Sequence, residues 1–152
     1  MSHLACLLTI FVALSIVAIQ ADHEAQLRAG YDKMKCHKGF VGKFSPLMET
    51  TVKNCNAKSI SSYFCYAACW ETGILCYTNG AFNDTARHID LMDLFDPKEP
   101  ESKKTVDGWV KEATICENAA IKSGLKVTDD YSGECKDYEE LGKCVWKPRK
   151  CP

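Results

Sequence analysis

Cysteine is the residue type whose chemistry is most evident in this chain. Ten cysteines occur among 152 residues, and Cys6 is the first of them. The other nine are Cys36, Cys55, Cys65, Cys69, Cys76, Cys116, Cys135, Cys144 and Cys151. This density predicts a disulfide framework formed in an oxidising compartment. Because nine is odd, full pairing of the others leaves one thiol free, capped or joined to another chain.

The spacing of two cysteine pairs is distinctive. Cys65 and Cys69 enclose three residues in the segment CYAAC, so their sulfurs lie on adjacent turns of one helical face. Such cysteines point nearly alike and do not pair easily with each other, so each is expected to bridge a different element. Cys135 and Cys144 enclose eight residues, and the same logic applies to them. Spacing alone leaves every pairing of these cysteines open.

Other chemistry is weakly indicated. The CYAAC segment could supply half of a zinc site, but no second close pair follows it. His37 adjoins Cys36, where an exposed loop histidine is the expected role rather than activation of a thiol nucleophile. His88 and Asp90 are separated by Ile89, unlike the adjacent pair of a secreted phospholipase. We therefore expect no catalytic residue, no metal and no cofactor, and predict that the protein is not an enzyme.

The start of the chain predicts secretion. Leu4 to Ile19 form an uncharged apolar run that ends at Gln20 and Ala21. This run is shorter than the roughly 18 residues that a membrane-spanning helix needs, and it indicates a signal peptide over residues 1–21. Residues 22–152 then form one secreted, extracellular domain.

The balance of charge excludes two classes of partner. With 19 basic and 20 acidic residues, the net charge is −1. This value provides no electrostatic footprint for nucleic acid and no polybasic surface for an anionic membrane. We also expect no membrane insertion of the mature domain.

The rest of the chain predicts an all-α fold of about six short helices. Short helices are marginal alone in water, so three or more disulfides are expected to staple them around an apolar cavity. Asn79-Gly80 indicates a turn, but its flanks do not alternate well enough to predict a sheet. Residues 98–104 are expected to be a solvated loop, and the tail from Trp146 to be extended. The predicted helices are 22–35, 47–52 after the cap Ser45-Pro46, 60–75 capped by Ser59, 85–95 started by Asn83 or Asp84, a helix from Val106 that Gly124 ends, and 133–145.

Two apolar stripes suggest where a ligand could bind. Ile89, Met92 and Phe95 recur every three residues, and Trp109 lies in the middle of the best-formed stripe of the following helix. If these helices pack antiparallel, the stripes meet. The predicted ligand-binding residues are Phe64, Met92, Phe95, Trp109 and Val110. The alternative is that these side chains simply fill the core.

The cysteine-containing segments of the sequence resemble those of the insect odorant-binding proteins. The segments CYAAC and CKDYEELGKC contain the three- and eight-residue gaps of that family, and CYAACWETGILCYTNGAFN is similar to its third helix and following loop. The resemblance covers Cys36 to Cys144. The longer gaps and the terminal Cys151-Pro152 resemble the cysteine-rich Plus-C branch, in which Cys55 or Cys36 would open the pattern and Cys151 would close it.

The resemblance implies a bridge pattern and a function. It pairs Cys36 with Cys69, Cys65 with Cys135, and Cys116 with Cys144. Cys55, Cys76 and Cys151 are then left over, and one further bridge is expected among them. The implied function is a secreted carrier of small hydrophobic ligands such as odorants, pheromones or lipids, with a chemosensory receptor as a partner.

The leftover cysteines and one sequence motif lead to two further expectations. The alternative function is a secreted, disulfide-rich protein-binding or toxin-like factor, with a dimer formed through an unpaired cysteine. Asn83-Asp84-Thr85 matches the N-glycosylation sequon and makes Asn83 a glycosylation candidate.

Overall fold

The computed structural model describes residues 18–19, 21–127 and 129–151. The predicted signal peptide lies outside the described residues except at positions 18, 19 and 21. The described chain is mostly helical, as predicted. Its elements are α1 (21–32), α2 (Pro46–Asn56), α3 (Tyr63–Gly73), β1 (Tyr77–Thr78), β2 (Ala81–Phe82), α4 (Asp84–Asp93), α5 (Pro100–Lys122), α6 (Asp137–Trp146) and a 3-10 turn (Lys147–Arg149).

Two helix starts follow directly from their capping residues. The Ser45 side chain accepts a hydrogen bond from the Met48 amide at 3.4 Å, and Pro46 occupies the first turn of α2. The Asn83 side chain accepts from the Ala86 amide at 3.1 Å at the start of α4. Each cap satisfies an amide that the helix itself leaves unpaired. None of the described helices is long and apolar enough to cross a membrane.

Two predicted helix starts are wrong. Ser59 has a φ of 53° and lies outside the helix, so α3 begins after Ser62 instead. Helix α5 begins at Pro100, which makes most of the expected loop 98–104 helical. Proline suits a first helical turn because its φ is already helical and its missing N–H is not needed there. Ser102, expected at the surface, is fully buried and donates to the Asp96 carbonyl at 2.8 Å.

The expectation of no sheet is wrong, because the chain forms a hairpin of two short strands. Strands β1 and β2 pair antiparallel, with Tyr77 opposite Phe82 and Thr78 opposite Ala81. Asn79 and Gly80 between them have φ values of 54° and 74°. Two successive positive φ values are what a tight type I′ hairpin needs, and Asn-Gly is the preferred dipeptide for it. The turn residues therefore decided the structure where strand alternation was weak.

Four disulfides connect the helices. They join Cys36 to Cys151, Cys55 to Cys69, Cys65 to Cys135, and Cys116 to Cys144. The third and fourth pairs are those that the resemblance implies. The bridge from Cys65 ties α3 to the segment just before α6, and the bridge from Cys116 ties α5 to α6.

The implied bridge between Cys36 and Cys69 is wrong. Cys55 lies on the buried face of α2, which packs along α3, and its Cα is 6.0 Å from that of Cys69. Cys36 instead follows α1 at the surface, where the returning C-terminal tail places Cys151 at a Cα distance of 5.8 Å. The further bridge expected among Cys55, Cys76 and Cys151 is absent for the same reason.

Cys76 is the free cysteine of the described chain. Its residue surface is 1 % exposed, and its thiol donates a hydrogen bond to Asp90 at 3.7 Å. A thiol buried in this way cannot reach another chain in the folded state. The part of the chain that the structure describes therefore has no accessible free cysteine for a dimer.

A single-residue change tests the corrected pairing. In Cys55→Ala, Cys69 loses its partner, so alkylation in denaturant should label two residues, Cys69 and Cys76. The free energy of unfolding should fall by about 3 kcal/mol, because the bridge no longer restricts the unfolded chain. Mass mapping of the alkylated peptides and denaturant unfolding measure the two effects. Recovery of Cys69 joined to Cys36 in the unmodified protein would contradict the pairing.

Candidate functional site

The ligand pocket predicted between α4 and α5 is not present as predicted. Trp109 is 5 % exposed, and its ring packs against Phe95 and His37 at centroid distances of 5.5 and 4.8 Å. Met92 and Val110 are partly buried and pack on the same core. The alternative interpretation, that these side chains fill the core, is the one that the structure supports. Phe95 also lines a shallow surface depression, and Trp109 is not among the residues that line it.

The predicted stripe on α4 is wrong at its first position. Ile89 is 57 % exposed, whereas the buried face of the helix contains Arg87, Asp90 and Leu91. A spacing of three residues drifts around a helix that turns every 3.6 residues. Two charged side chains occupy the inward positions instead, which is tolerated only because they have partners there.

A groove lies elsewhere, between α1, α3 and α6. Its volume is about 380 Å³, and Phe64 is the one predicted ligand-binding residue that lines it. Tyr63 and Ala67 of α3 and Tyr138 and Trp146 of α6 line it as well. The groove therefore lies between three helices, and of these only α3 carries a residue that was predicted to bind ligand.

Helical periodicity positions these walls. From α1 and the turn that follows it the groove is lined by residues 26, 29, 30 and 33, and from α6 by residues 138, 139, 142, 143 and 146. Both sets follow the three- and four-residue spacing of one helical face. Small side chains at Ala29, Gly30, Ala67 and Gly142 leave the space open. The bridge between Cys65 and Cys135 fixes α3 beside the start of α6.

The rim of the groove is basic. Lys33, Lys143 and Lys150 line it, against Glu139 as its acidic residue. Lys143 is paired with Glu139 and Glu140 at 2.8 Å, which holds that lysine on the α6 side. The local balance is thus positive in a chain whose net charge is −1.

Arg149 lies at the floor of the groove. This residue is 2 % exposed, and its guanidinium carbon is 5.0 Å from the centre of the Trp146 ring. Burial, and then repulsion by Arg87, lower the pKa of Arg149. Because the tail from Trp146 is predicted to be extended, Arg149 is not among the predicted site residues. The signal that could have located it is Cys151, whose bridge to Cys36 pulls the tail back onto the fold.

A cluster of buried charges lies behind the groove. Arg87 forms ion pairs with Glu117 and, at 3.5 Å, with Glu71. Burial raises the pKa of Asp90 to about 7 and that of Glu117 to about 7, in the second case despite the attraction of Arg87. Burial also raises the pKa of the Cys76 thiol, so that thiol stays protonated at neutral pH. The cluster is a structural network of paired charges, closed to solvent.

Two other predicted positions have clear structural roles. Cys36, His37 and Cys151 bring three ligand atoms within 4.8 Å of one another, but both sulfurs belong to one disulfide and are not thiolates. The His37 Nε2 atom lies 3.1 Å from the Arg149 carbonyl, so this ring contacts the tail. Asn83 is half-buried and uses its side-chain oxygen to cap α4. Its glycosylation stays a prediction.

Comparison with known proteins adds no relative. No protein-family model, curated protein or solved structure matches this chain. The resemblance to the odorant-binding proteins therefore rests on the cysteine spacing and segments quoted above.

Trp109 offers a direct test of the core assignment. Trp109→Ala should lower the free energy of unfolding by about 3–5 kcal/mol, because a buried ring is lost and a cavity remains. Trp109→Phe should cost less, since a ring still packs against Phe95. Denaturant unfolding measures both. A truncation that left stability unchanged but weakened binding of an apolar probe would restore the pocket first predicted at α4 and α5.

The buried carboxyl of Asp90 predicts a pH dependence. Its pKa in the folded chain is about 7, above the ordinary value near 4. The folded state therefore holds this proton more tightly, and the free energy of unfolding should fall as pH rises from about 4 to about 7. Asp90→Asn is neutral throughout, so the variant should lose this part of the slope and be the more stable protein at pH 8.

Unfolding in denaturant at pH 5 and pH 8 measures the effect. Asp93→Asn, at an exposed position of the same helix, is the matched control and should keep most of the slope. Equal slopes in the wild type and in Asp90→Asn would show that Asp90 does not titrate near neutral pH.

Proposed function

We propose that this protein is an extracellular carrier that binds a small hydrophobic ligand in the groove between α1, α3 and α6. The groove itself is the observation that carries the proposal. Its volume of about 380 Å³ lies within the range of small-molecule sites, about 300–1,000 Å³, and its walls have the aromatic and small apolar side chains typical of such sites. Binding would be driven by removal of apolar ligand surface from water.

The disulfides support a groove that is kept open. A cluster of short helices would normally close such a space by repacking, since interiors favour dense contact. Here the bridge from Cys65 to Cys135 holds α3 at α6, and the bridge from Cys36 to Cys151 holds the end of α1 at the tail. When a site is already formed, ligand binding loses less free energy to the ordering of side chains and loops.

Secretion and partner are part of the same proposal. Four disulfides are what an oxidising, extracellular compartment favours, and the apolar start of the chain supports a signal peptide. The resemblance to odorant-binding proteins supports the carrier function and a chemosensory receptor as partner. The competing function is a secreted protein-binding factor that takes no small ligand.

Two helical glycines give a matched test of the groove. Gly142 lines the groove on α6, Gly108 lies on the exposed face of α5, and a Cβ at either position meets open space. Gly142→Leu should place a side chain in the groove and weaken uptake of a fluorescent naphthylamine probe at least tenfold. Gly108→Leu should leave uptake unchanged. Both changes should stabilise their helices by up to about 1 kcal/mol, because glycine is a poor helix former.

Fluorescence titration and thermal unfolding measure the two effects. Saturable uptake that Gly142→Leu does not weaken would place the site outside the groove. Absence of saturable uptake by the wild type would overturn the carrier proposal and favour the protein-binding alternative.

A further inference from the structure

The floor of the groove holds a cation that has no fixed counter-charge among the described residues. Arg149 is buried, and its Nε and Nη2 atoms have no hydrogen-bond partner among the described residues. Placing an ionised group in a poorly solvated site is costly unless the group is paired and hydrogen-bonded. A buried guanidinium in this condition is expected to gain strongly from an added anion.

The two unpartnered nitrogens define a shape as well as a charge. Nε and Nη2 lie on the same edge of the planar guanidinium, and their N–H bonds point in parallel. Such an edge donates two parallel hydrogen bonds to the two oxygens of a carboxylate. The chemistry that best complements Arg149 is therefore a single carboxylate.

The nearby acids do not supply that carboxylate. Glu71 attracts Arg149 electrostatically but pairs with Arg87, as does Glu117. Arg87 in turn repels Arg149. The protein therefore neutralises one arginine of the cluster with two glutamates and leaves the other next to the groove.

The lysines at the rim also attract an anion, because they carry the same positive charge as Arg149. Lys33 and Lys150 line the same groove, so an anion approaching Arg149 passes a positive surface. These exposed charges steer the anion more than they bind it, because water and salt screen them.

We propose that the ligand is a single-chain amphiphile with a carboxylate head, such as a fatty acid, whose head pairs with Arg149 while its chain lies along Phe64, Tyr63 and Trp146. The inference rests on the proposed carrier function and adds the class of ligand to it. Both unpartnered nitrogens are closed to solvent, so a neighbouring side chain must move to admit the head. The half-buried Trp146 ring is that neighbour, since it lies over the guanidinium and also lines the groove.

A series of ligands with one chain and different heads tests the inference. Dodecanoate, dodecanol and dodecylamine compete with the naphthylamine probe on the purified protein at pH 7.5. Dodecanoate should bind about 10- to 100-fold more tightly than dodecanol, the effect expected of charge-assisted hydrogen bonds, and dodecylamine should bind most weakly. Dodecanoate should also change Trp146 emission, and Trp146→Phe should abolish that change.

Arg149→Met supplies the matched variant, because methionine fills the groove floor with an unbranched, uncharged side chain. It should remove the preference for dodecanoate over dodecanol and leave dodecanol binding in place. Lys150→Gln is the control for charge at the rim. It should reduce dodecanoate binding only a few-fold at low salt, and not at all in high salt, where exposed charges are screened.

The possible outcomes separate the two proposals. Equal binding of dodecanoate and dodecanol by the wild type would overturn the carboxylate inference and leave the carrier function standing. Failure of every ligand and of the probe to bind would overturn the carrier function itself. A preference for dodecanoate that persists in folded Arg149→Met would assign the head group to another residue. If that variant does not fold, the wild-type ligand series alone decides the inference.

Discussion

The bridge between Cys65 and Cys135 is the constraint on which the groove depends. Helix α3 is only 11 residues long and α6 only 10, and helices of this length have little stability without tertiary contacts. The bridge fixes their separation covalently, so their facing side chains need not fill the space between them. A gap that packing alone would tend to close can therefore persist in the folded protein.

The buried charges set a second constraint, which acts on the arrangement of the helices rather than on their stability. Arg87 is enclosed with Glu71 and Glu117, and the removal of these groups from water costs much of what their pairing returns. Such a network contributes little net stability but strongly disfavours any packing that separates its members. It fixes the orientation of α4 against α3 and α5, while the disulfides supply the stability that the network does not.

The sequence predicted the parts of the fold that depend on local chemistry. Ser45 and Asn83 accept hydrogen bonds from nearby amides and Pro46 already has a helical φ, so their helix starts could be predicted from residue type. The pairs of Cys65 and of Cys116 followed from a resemblance in spacing. Cys36 could not be paired in this way, because its partner depends on how the tail returns across the molecule.

The candidate site was harder to predict, for a related reason. Trp109 lies on a strong apolar stripe, and a stripe identifies a buried face without telling a cavity from a filled core. The groove depends on small residues such as Gly142 and Ala67 on separate helices, and small residues give little signal in a hydrophobic pattern. Arg149 gave no signal for a buried site, since a charged residue beside a proline is normally expected at the surface.

The bridge between Cys36 and Cys151 spans 115 residues and encloses the other three bridges within a single covalent ring. A protease that cuts once anywhere inside this ring opens it without releasing a fragment. The nicked chain gains only the water of hydrolysis and stays one molecule under non-reducing conditions, with Cys36 still joined to Cys151. After a single cut, the segments on either side of the break therefore stay linked, and they separate only when reduction accompanies cleavage.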